Sequence, residues 1–373
     1  MATITTHAAI ARAAHLGWEL TDLQLDDPKE HEVRIKFAAS GLCHSDNHIT
    51  TGDARVRVPM VGGHEGAGIV ESVGANVRRV KAGDRVVCSY IPACGSCRMC
   101  STGHQNMCVK GLNAGTGMFL DGTYRFHKDG EDFGGFCSLG TFSQYAVVSE
   151  WAVVPLPDHI PFKIASLVGC GVPTGWGSAV YAAGVRAGDT VVIFGAGGVG
   201  SNAIQGARYA GAKDVIVVDP VEFKREHSKI FGATEAFATA KEAHEFVVET
   251  TWGQLADHVI MTPDAVTEEM VNAAVLMTGK GGKVTITAVG HHDEHAVHFP
   301  AGLLIGYQRQ IRGALFGDCN PLSDIPRLLR LYDSGDLKLD ELVTRTYTLD
   351  EVNDAYTDLV EGRNIRGVIM HEL

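Results

Sequence analysis

No stretch of the 373-residue sequence approaches the ~20 consecutive apolar residues needed to cross a bilayer, so no membrane-spanning helix is expected. Positive charge is also scarce. The chain has 32 Lys and Arg against 44 Asp and Glu, a formal charge of -12 with the acids spread along its length, which argues against DNA as the main partner. A dinucleotide stays open, because glycine loops hold phosphate through backbone N–H groups rather than through net charge. The sequence lacks internal repeats and low-complexity linkers. Its opening stretch, MATITTHAAIARAAHLGWEL, has no clear signal-peptide core, since Arg12 and several polar residues interrupt the apolar ones. A cytoplasmic protein is expected.

What is present describes a soluble globular enzyme or binder: 45% hydrophobic residues, 20% charged residues and 44 glycines for tight turns. A chain of this length predicts two domains. From residue 31 to 87 the segments HEVRIKFAAS, GAGIVESVG and GDRVVCSY read as short strands bounded by Gly or Asp. Around residue 170 the texture changes. TVVIFG, SNAIQGARYAG, DVIVVD, EFKREHSKIFG, DHVIMT, a helical run from Ala265 to Met277 and KVTITAVG alternate strand with helix, which predicts βαβ units on a parallel sheet. The fold class is therefore α/β: a doubly wound parallel sheet over 171–314, and a β-rich domain formed by 1–170 and completed by the tail 315–373.

Nine cysteines without an export signal should be thiols or metal ligands rather than disulfides. Cys94, Cys97, Cys100 and Cys108 fall within fifteen residues, a four-thiolate set suited to tetrahedral zinc that leaves no open position for chemistry. A structural zinc is expected, with an iron–sulfur cluster as the rival because CxxCxxC spacing also serves clusters.

Gly195, Gly197, Gly198, Val199 and Gly200 form a GxGxxG turn between the strand TVVIF and a helical stretch, the context of a dinucleotide fingerprint. The next strand ends at Asp219, nineteen residues after Gly200, where a carboxylate can accept the ribose hydroxyls and repel a 2′-phosphate. That selects NAD over NADP. The alternative is a tight turn with no ligand. Lys224 is a second candidate for the ribose. Two further clusters, Cys43-His44-Ser45-Asp46-Asn47-His48 and Gly63-His64-Glu65, become a candidate catalytic metal site when Cys170, set between Gly169 and Gly171, is added. Two thiolates and one imidazole leave the fourth position open. Cys88, Cys137 and Cys319 read as ordinary buried thiols.

GLCHSD, GGHEGAGIVESVG, the CxxCxxC loop, DGTYRF, GTFSQYAVV, GCGVPTGWGSA and GAGGVG together resemble the zinc-containing medium-chain alcohol dehydrogenases over essentially the whole chain. The resemblance implies a GroES-like catalytic domain interrupted by a Rossmann domain. It assigns catalytic zinc to Cys43, His64 and Cys170, with Glu65 approaching the metal during ligand exchange and Asp46 orienting His64. Ser45 matches the hydroxyl that takes the alcohol proton, and His48 the outer end of the proton relay. Thr174 matches a threonine beside the nicotinamide and Arg366 an arginine on the cofactor phosphates. His44 stands where several relatives carry a phosphate-binding arginine. Tyr90 and the segment from Asn113 to Phe119 line the substrate cleft by the same analogy.

IPACGSCRMC, DGTYRFH, VGCGVPTGWGSAVYAAG and VDPVEFKRE further resemble the actinobacterial nicotinoprotein alcohol dehydrogenases, assayed with N,N-dimethyl-4-nitrosoaniline. This implies two zincs per chain, a small alcohol or aldehyde as substrate, and NAD retained and re-oxidised by an external carrier such as mycofactocin. A homodimer or homotetramer is implied as well. A glutathione-dependent formaldehyde dehydrogenase with exchangeable NAD shares these motifs, and a non-catalytic NAD-binding zinc protein is the alternative from another class.

Overall fold

The computed structural model describes residues 3–290, 297–299 and 301–373. The chain divides into two compact units: Met1–Cys170 with Asn320–Asp333 and Val343–Leu373, and Gly171–Cys319 with Ser334–Leu342. No helix among the described residues is long and apolar enough to cross a membrane.

In the first unit the strands Ile4–Ala11, Glu19–Leu25, Phe126–Lys128, Glu131–Gly135 and Met60–Val61 close into a barrel. A second sheet runs in the order Val153–Pro155, Arg85–Cys88, Gly66–Val73, Glu32–Gly41, Arg366–Met370 and Val343–Tyr347, with Tyr145–Ser149 also pairing to Glu32–Gly41. The period-2 pattern of Glu32–Gly41 sends Val33, Ile35 and Phe37 into one fully buried core. Register then decides which loops meet. Ser40 pairs with Gly66 and Gly41 with Val368, so the loop after Gly41 emerges beside the residues preceding Gly66 and beside Arg366. Tyr90 N–H donates to Gly169 O at 3.3 Å, which ties the end of a third strand to the segment carrying Cys170.

The second unit holds a six-stranded parallel sheet, ordered Glu235–Phe237, Asp214–Val218, Thr190–Phe194, Ala256–Met261, Thr278–Ile286 and Gln310–Gly313. By position in the chain that is 3-2-1-4-5-6, the doubly wound order whose switch point falls beside the first strand. TVVIF is buried at every position, as expected of a central strand covered on both faces.

The helical run expected from Ala265 starts later, at Glu268. Thr267 is the N-cap, its Oγ1 accepting from Met270 N–H at 3.4 Å, while Ala265 and Val266 pair with Val289 and Gly290 instead. The boundary at residue 315 also differs from expectation. Residues 315–319 and Ser334–Leu342 pack with the second unit, the latter through a reciprocal amide contact in which Lys338 N–H donates to Gln205 Oε1 at 2.7 Å and Gln205 Nε2 donates to Lys338 O at 3.1 Å.

Candidate functional site

Cys43 caps the helix His44–Thr51 with extended backbone angles, immediately after the strand Glu32–Gly41. Its sulfur and one donor atom each from His64, Glu65 and Cys170 lie within 4.8 Å of one another. Strand register brings these distant positions together, and a small residue at the crossing makes room for them. A Cβ on Gly41 would collide with Glu65 Oε2, the oxygen that pairs with the Arg366 guanidinium.

Asp46, in the first turn of the helix, is fully buried and spans two partners. Its Oδ1 accepts from Gly63 N–H at 2.9 Å, and its Oδ2 lies 3.0 Å from His64 Nδ1, leaving His64 Nε2 for the cluster. Burial works against charge on His64, but Asp46 and Cys43 outweigh it and hold the imidazole well above its ordinary pKa. Burial raises Asp46 above the usual carboxyl value, with His64 opposing. The two thiols are hydrogen-bonded to each other. The Cys170 hydrogen bond holds Cys43 well below the thiol range, and the same contact pushes Cys170 well above it. Burial raises Glu65 to about 7 against the pull of Arg366. A compact buried set of two thiols, one imidazole and one carboxyl, already biased toward thiolate, fits a divalent cation.

Cys94, Cys97, Cys100 and Cys108 form the second cluster, again within 4.8 Å. Cys94 and Cys100 sulfurs stand 4.0 Å apart, as do those of Cys97 and Cys108, far beyond disulfide length and close to the ~3.8 Å edge of a tetrahedron built on ~2.3 Å zinc–sulfur bonds. Backbone N–H groups of Cys97, Cys100 and Cys94 point at the sulfurs of Cys94, Cys97 and Cys108 at 3.3, 3.5 and 3.4 Å; Cys94 and Cys97 are held below the thiol range, while burial outweighs this contact and pushes Cys108 up to about 12. Sulfurs bound to an iron–sulfur cluster are spread over its corners, so this close set favours a single ion.

Ser45 and His48 share one face of the helix at i and i+3 spacing. Ser45 Oγ lies 3.6 Å from Cys43 Sγ. His48, expected at the outer end of the relay, is only 4% exposed. His44 opens the helix and is half-buried. Arg366 is buried against Glu65, and its Nε has no acceptor among the described residues, an orphaned donor that an anion could satisfy.

Three neighbours of the cluster gave no sequence signal. Phe136 meets the His64 ring edge-on at 5.2 Å, alongside the anticipated Tyr90 at 5.7 Å. Tyr356 donates to Cys43 O at 3.3 Å from a helix 313 residues away, and burial near Asp46 and Cys43 raises its hydroxyl well above the ordinary value. Cys137 sits close enough to feel the charges of His64, Asp46 and Cys43, and burial pushes it up to about 12. The segment from Asn113 to Phe119 divides. Ala114 O accepts from Cys137 N–H at 3.1 Å, while Phe119 turns to the Arg125 guanidinium, 4.2 Å above its ring, rather than to the cluster.

In the second unit Gly195 holds φ +87°, a left-handed conformation that a side chain would strain, and the helix Gly198–Tyr209 follows with Gly197 as its N-cap. Asp219 is 5% exposed. Its Oδ2 accepts from Ala196 N–H at 2.8 Å and its Oδ1 from Val221 N–H at 2.9 Å, which fastens the carboxylate to the glycine turn. Arg225, which the sequence did not flag, braces this corner by donating to Asp219 O and Pro220 O, both at 2.8 Å. Lys224 is half-buried beside Arg225 on the helix Glu222–Ser228, and Thr174 is buried in the helix Gly171–Gly177.

A β-rich unit with two donor clusters, joined in one chain to a doubly wound unit with a glycine turn, defines a metal-containing dehydrogenase architecture. Residues 29–158 match the alcohol dehydrogenase GroES-like domain and residues 198–334 the zinc-binding dehydrogenase domain. The chain is 53% identical over 366 residues to the NDMA-dependent alcohol dehydrogenase of Amycolatopsis methanolica, covering 98% of this chain and 99% of that protein. It is 54% identical to putative alcohol dehydrogenase D of Mycobacterium tuberculosis, with 98% and 100% covered. The benzyl alcohol dehydrogenase structure from Acinetobacter calcoaceticus superposes with a TM-score of 0.91 at 29% identity, over 99% of this chain and all of that one. The chain belongs to the zinc-containing medium-chain alcohol dehydrogenase family, and its nicotinoprotein-like motifs accord with the Amycolatopsis relative.

Proposed function

We propose that this protein oxidises a small alcohol to an aldehyde or ketone, with catalytic zinc at Cys43, His64 and Cys170, structural zinc at Cys94, Cys97, Cys100 and Cys108, and NAD retained through turnover. The observation that carries the reading is the convergence of Cys43, His64, Glu65 and Cys170 beside the hydroxyl of Ser45. When bound, zinc lowers the pKa of a hydroxyl it polarises, to ~7 for water, and the nicotinamide accepts hydride.

The chain's own residues do the rest. Asp46 fixes His64 in the tautomer that leaves Nε2 for the metal. Glu65, neutralised by Arg366, is a reserve carboxyl within ligand reach. Ser45 accepts the substrate hydroxyl proton as it passes its own to His48, so the proton moves along one helix face. The N–H groups opening Gly198–Tyr209 suit a pyrophosphate. Asp219 keeps a free lone pair on each oxygen for the ribose hydroxyls after accepting its two backbone bonds. Lys224 supports the ribose, Thr174 the nicotinamide, and His44 with Arg366 the phosphates. The exposed edge strand Gln310–Gly313 supports assembly into a homodimer or homotetramer. The 53% identity to an NDMA-dependent enzyme supports retained NAD and an external acceptor such as mycofactocin.

The test is to purify the protein without added cofactor, denature it and quantify zinc and NAD(H). About two zincs and one NAD(H) per chain are expected, with alcohol oxidation only when N,N-dimethyl-4-nitrosoaniline is supplied. An empty protein that turns over added NAD would sink cofactor retention. Activity confined to hydroxymethylglutathione would move the assignment to a formaldehyde dehydrogenase.

A further inference from the structure

A dinucleotide that stays bound through turnover needs its anchoring groups held still, and the corner carrying Asp219 has little regular structure to hold it. The strand Asp214–Val218 ends one residue before Asp219, Pro220 follows without an N–H, and the helix Glu222–Ser228 has not yet begun. Arg225 provides the missing support. Its Nη1 donates to Asp219 O and to Pro220 O, both at 2.8 Å, so one nitrogen with two hydrogens grips two successive peptide units. The Asp219 side chain is fastened separately, Oδ2 accepting from Ala196 N–H in the glycine turn at 2.8 Å and Oδ1 from Val221 N–H at 2.9 Å.

The guanidinium sits on a fixed mount. Ser228 Oγ donates to Arg225 O at 2.6 Å, His227 Nε2 lies 2.9 Å from Glu341 O, and Lys338 Nζ donates to Ile230 O at 2.8 Å. These contacts tie the helix end and the turn after it to the segment Ser334–Leu342. Glu242 feels the Arg225 charge, but its carboxylate is engaged in capping the helix Ala240–Thr250 through Thr239. The atoms that Arg225 grips are neutral carbonyl oxygens, so it acts through geometry rather than ion pairing.

Resting on the functional reading above, we propose that Arg225 is a positioning residue for the retained dinucleotide, clamping the main chain under Asp219 so that the carboxylate stays aimed at the ribose hydroxyls and release is slow. Without the clamp the peptide units that carry Asp219 gain conformations that binding must then take away, and that ordering cost is subtracted from affinity. Such differences appear mainly in the rate of dissociation.

The protein purified without added nucleotide is dialysed against nucleotide-free buffer, and the NAD(H) remaining per chain is followed with time. Arg225→Met keeps the apolar stem and removes the clamp. Its NAD(H) should leave about tenfold faster, the size of effect that lost hydrogen bonds produce. In alcohol oxidation with N,N-dimethyl-4-nitrosoaniline and added NAD, the deficit should lie in KM for NAD rather than in kcat. Zinc content, and Tm at saturating NAD, should match the unsubstituted protein. Arg225→Lys keeps the charge without the planar fork and should also release nucleotide faster. The double variant with Asp219→Ala should bind no worse than Asp219→Ala alone, because the clamp works through that carboxylate.

Equal release from Arg225→Met and the unsubstituted protein overturns the proposal. A lysine variant that retains nucleotide fully does so too, since it assigns the effect to charge, as do additive losses in the double variant. A Tm that falls even at saturating NAD assigns Arg225 a purely structural role and overturns it as well. An unsubstituted protein that purifies empty defeats retention, not the clamp. The clamp is then read from the Kd of added NADH, which Arg225→Met should raise about tenfold, and an unchanged Kd overturns it.

Discussion

Replacing Asp46 by Asn changes few atoms and should still disable the catalytic metal site. The carboxylate is fully buried, accepts from Gly63 N–H at 2.9 Å through Oδ1 and faces His64 Nδ1 at 3.0 Å through Oδ2. In Asp46→Asn the amide oxygen can keep the Gly63 bond, which aims the NH2 at His64 Nδ1. Two donors cannot face each other, so Nδ1 must give up its proton and Nε2, the nitrogen left for the metal, must carry it. Loss of such a partner costs ~10–100-fold in metal affinity or activity, about 1.4–2.7 kcal/mol. Asp46→Ala strands the Gly63 N–H as well and should cost a further ~1–3 kcal/mol of stability. The assay is chelator competition followed by zinc quantification, with alcohol oxidation in parallel. The Cys94 to Cys108 cluster serves as the internal control, so Asp46→Asn should hold one zinc firmly and lose the other at lower chelator. An Asn variant that keeps both zincs with unchanged affinity and activity refutes the tautomer reasoning.

Cys108→Ser should remove only the other zinc, and loss of a metal staple belongs with the mutations costing ~4 kcal/mol, so Tm should drop by about 8–16 °C in calorimetry. Trypsin should then cut the loop around Arg98 and Lys110 first, with the zinc at Cys43 retained. Asp219→Ala leaves a buried N–H group, that of Ala196, and a part-buried one, that of Val221, without their carboxylate, and should reduce the NAD(H) recovered from purified protein. At Asp121 burial opposes ionisation, but hydrogen bonds from Lys29 and Thr123 and the charge of Arg125 outweigh it and depress its pKa well below the usual ~3.9. The unfolded chain therefore binds more protons in acid. The contribution is whole above pH ~4 and fades as pH falls through the depressed native value, so Asp121→Asn should flatten the acid limb of a stability-against-pH curve measured by urea unfolding.

The site was legible where its chemistry is local. Four cysteines within fifteen residues have to meet, and a glycine turn between a β-branched strand and a helix has few other uses. Asp219 followed from the same logic one strand later. The cluster at Cys43 was not legible from spacing, because its donors sit at positions 43, 64, 65 and 170 and only strand register brings them together. Resemblance had to supply that set. Nor could spacing reveal Phe136 and Tyr356, since an aromatic on a helix face reads as core until its neighbour is known. The tail ties these points together. Arg366 pairs with Glu65, and Tyr356 donates to Cys43 O, so the last fifty residues reach two members of the cluster directly. A chain truncated before the helix Val352–Val360 would therefore lose more than a sheet edge. Without Arg366, Glu65 would be buried beside thiolates with no cation to balance it, and would take a proton rather than remain a ligand in reserve.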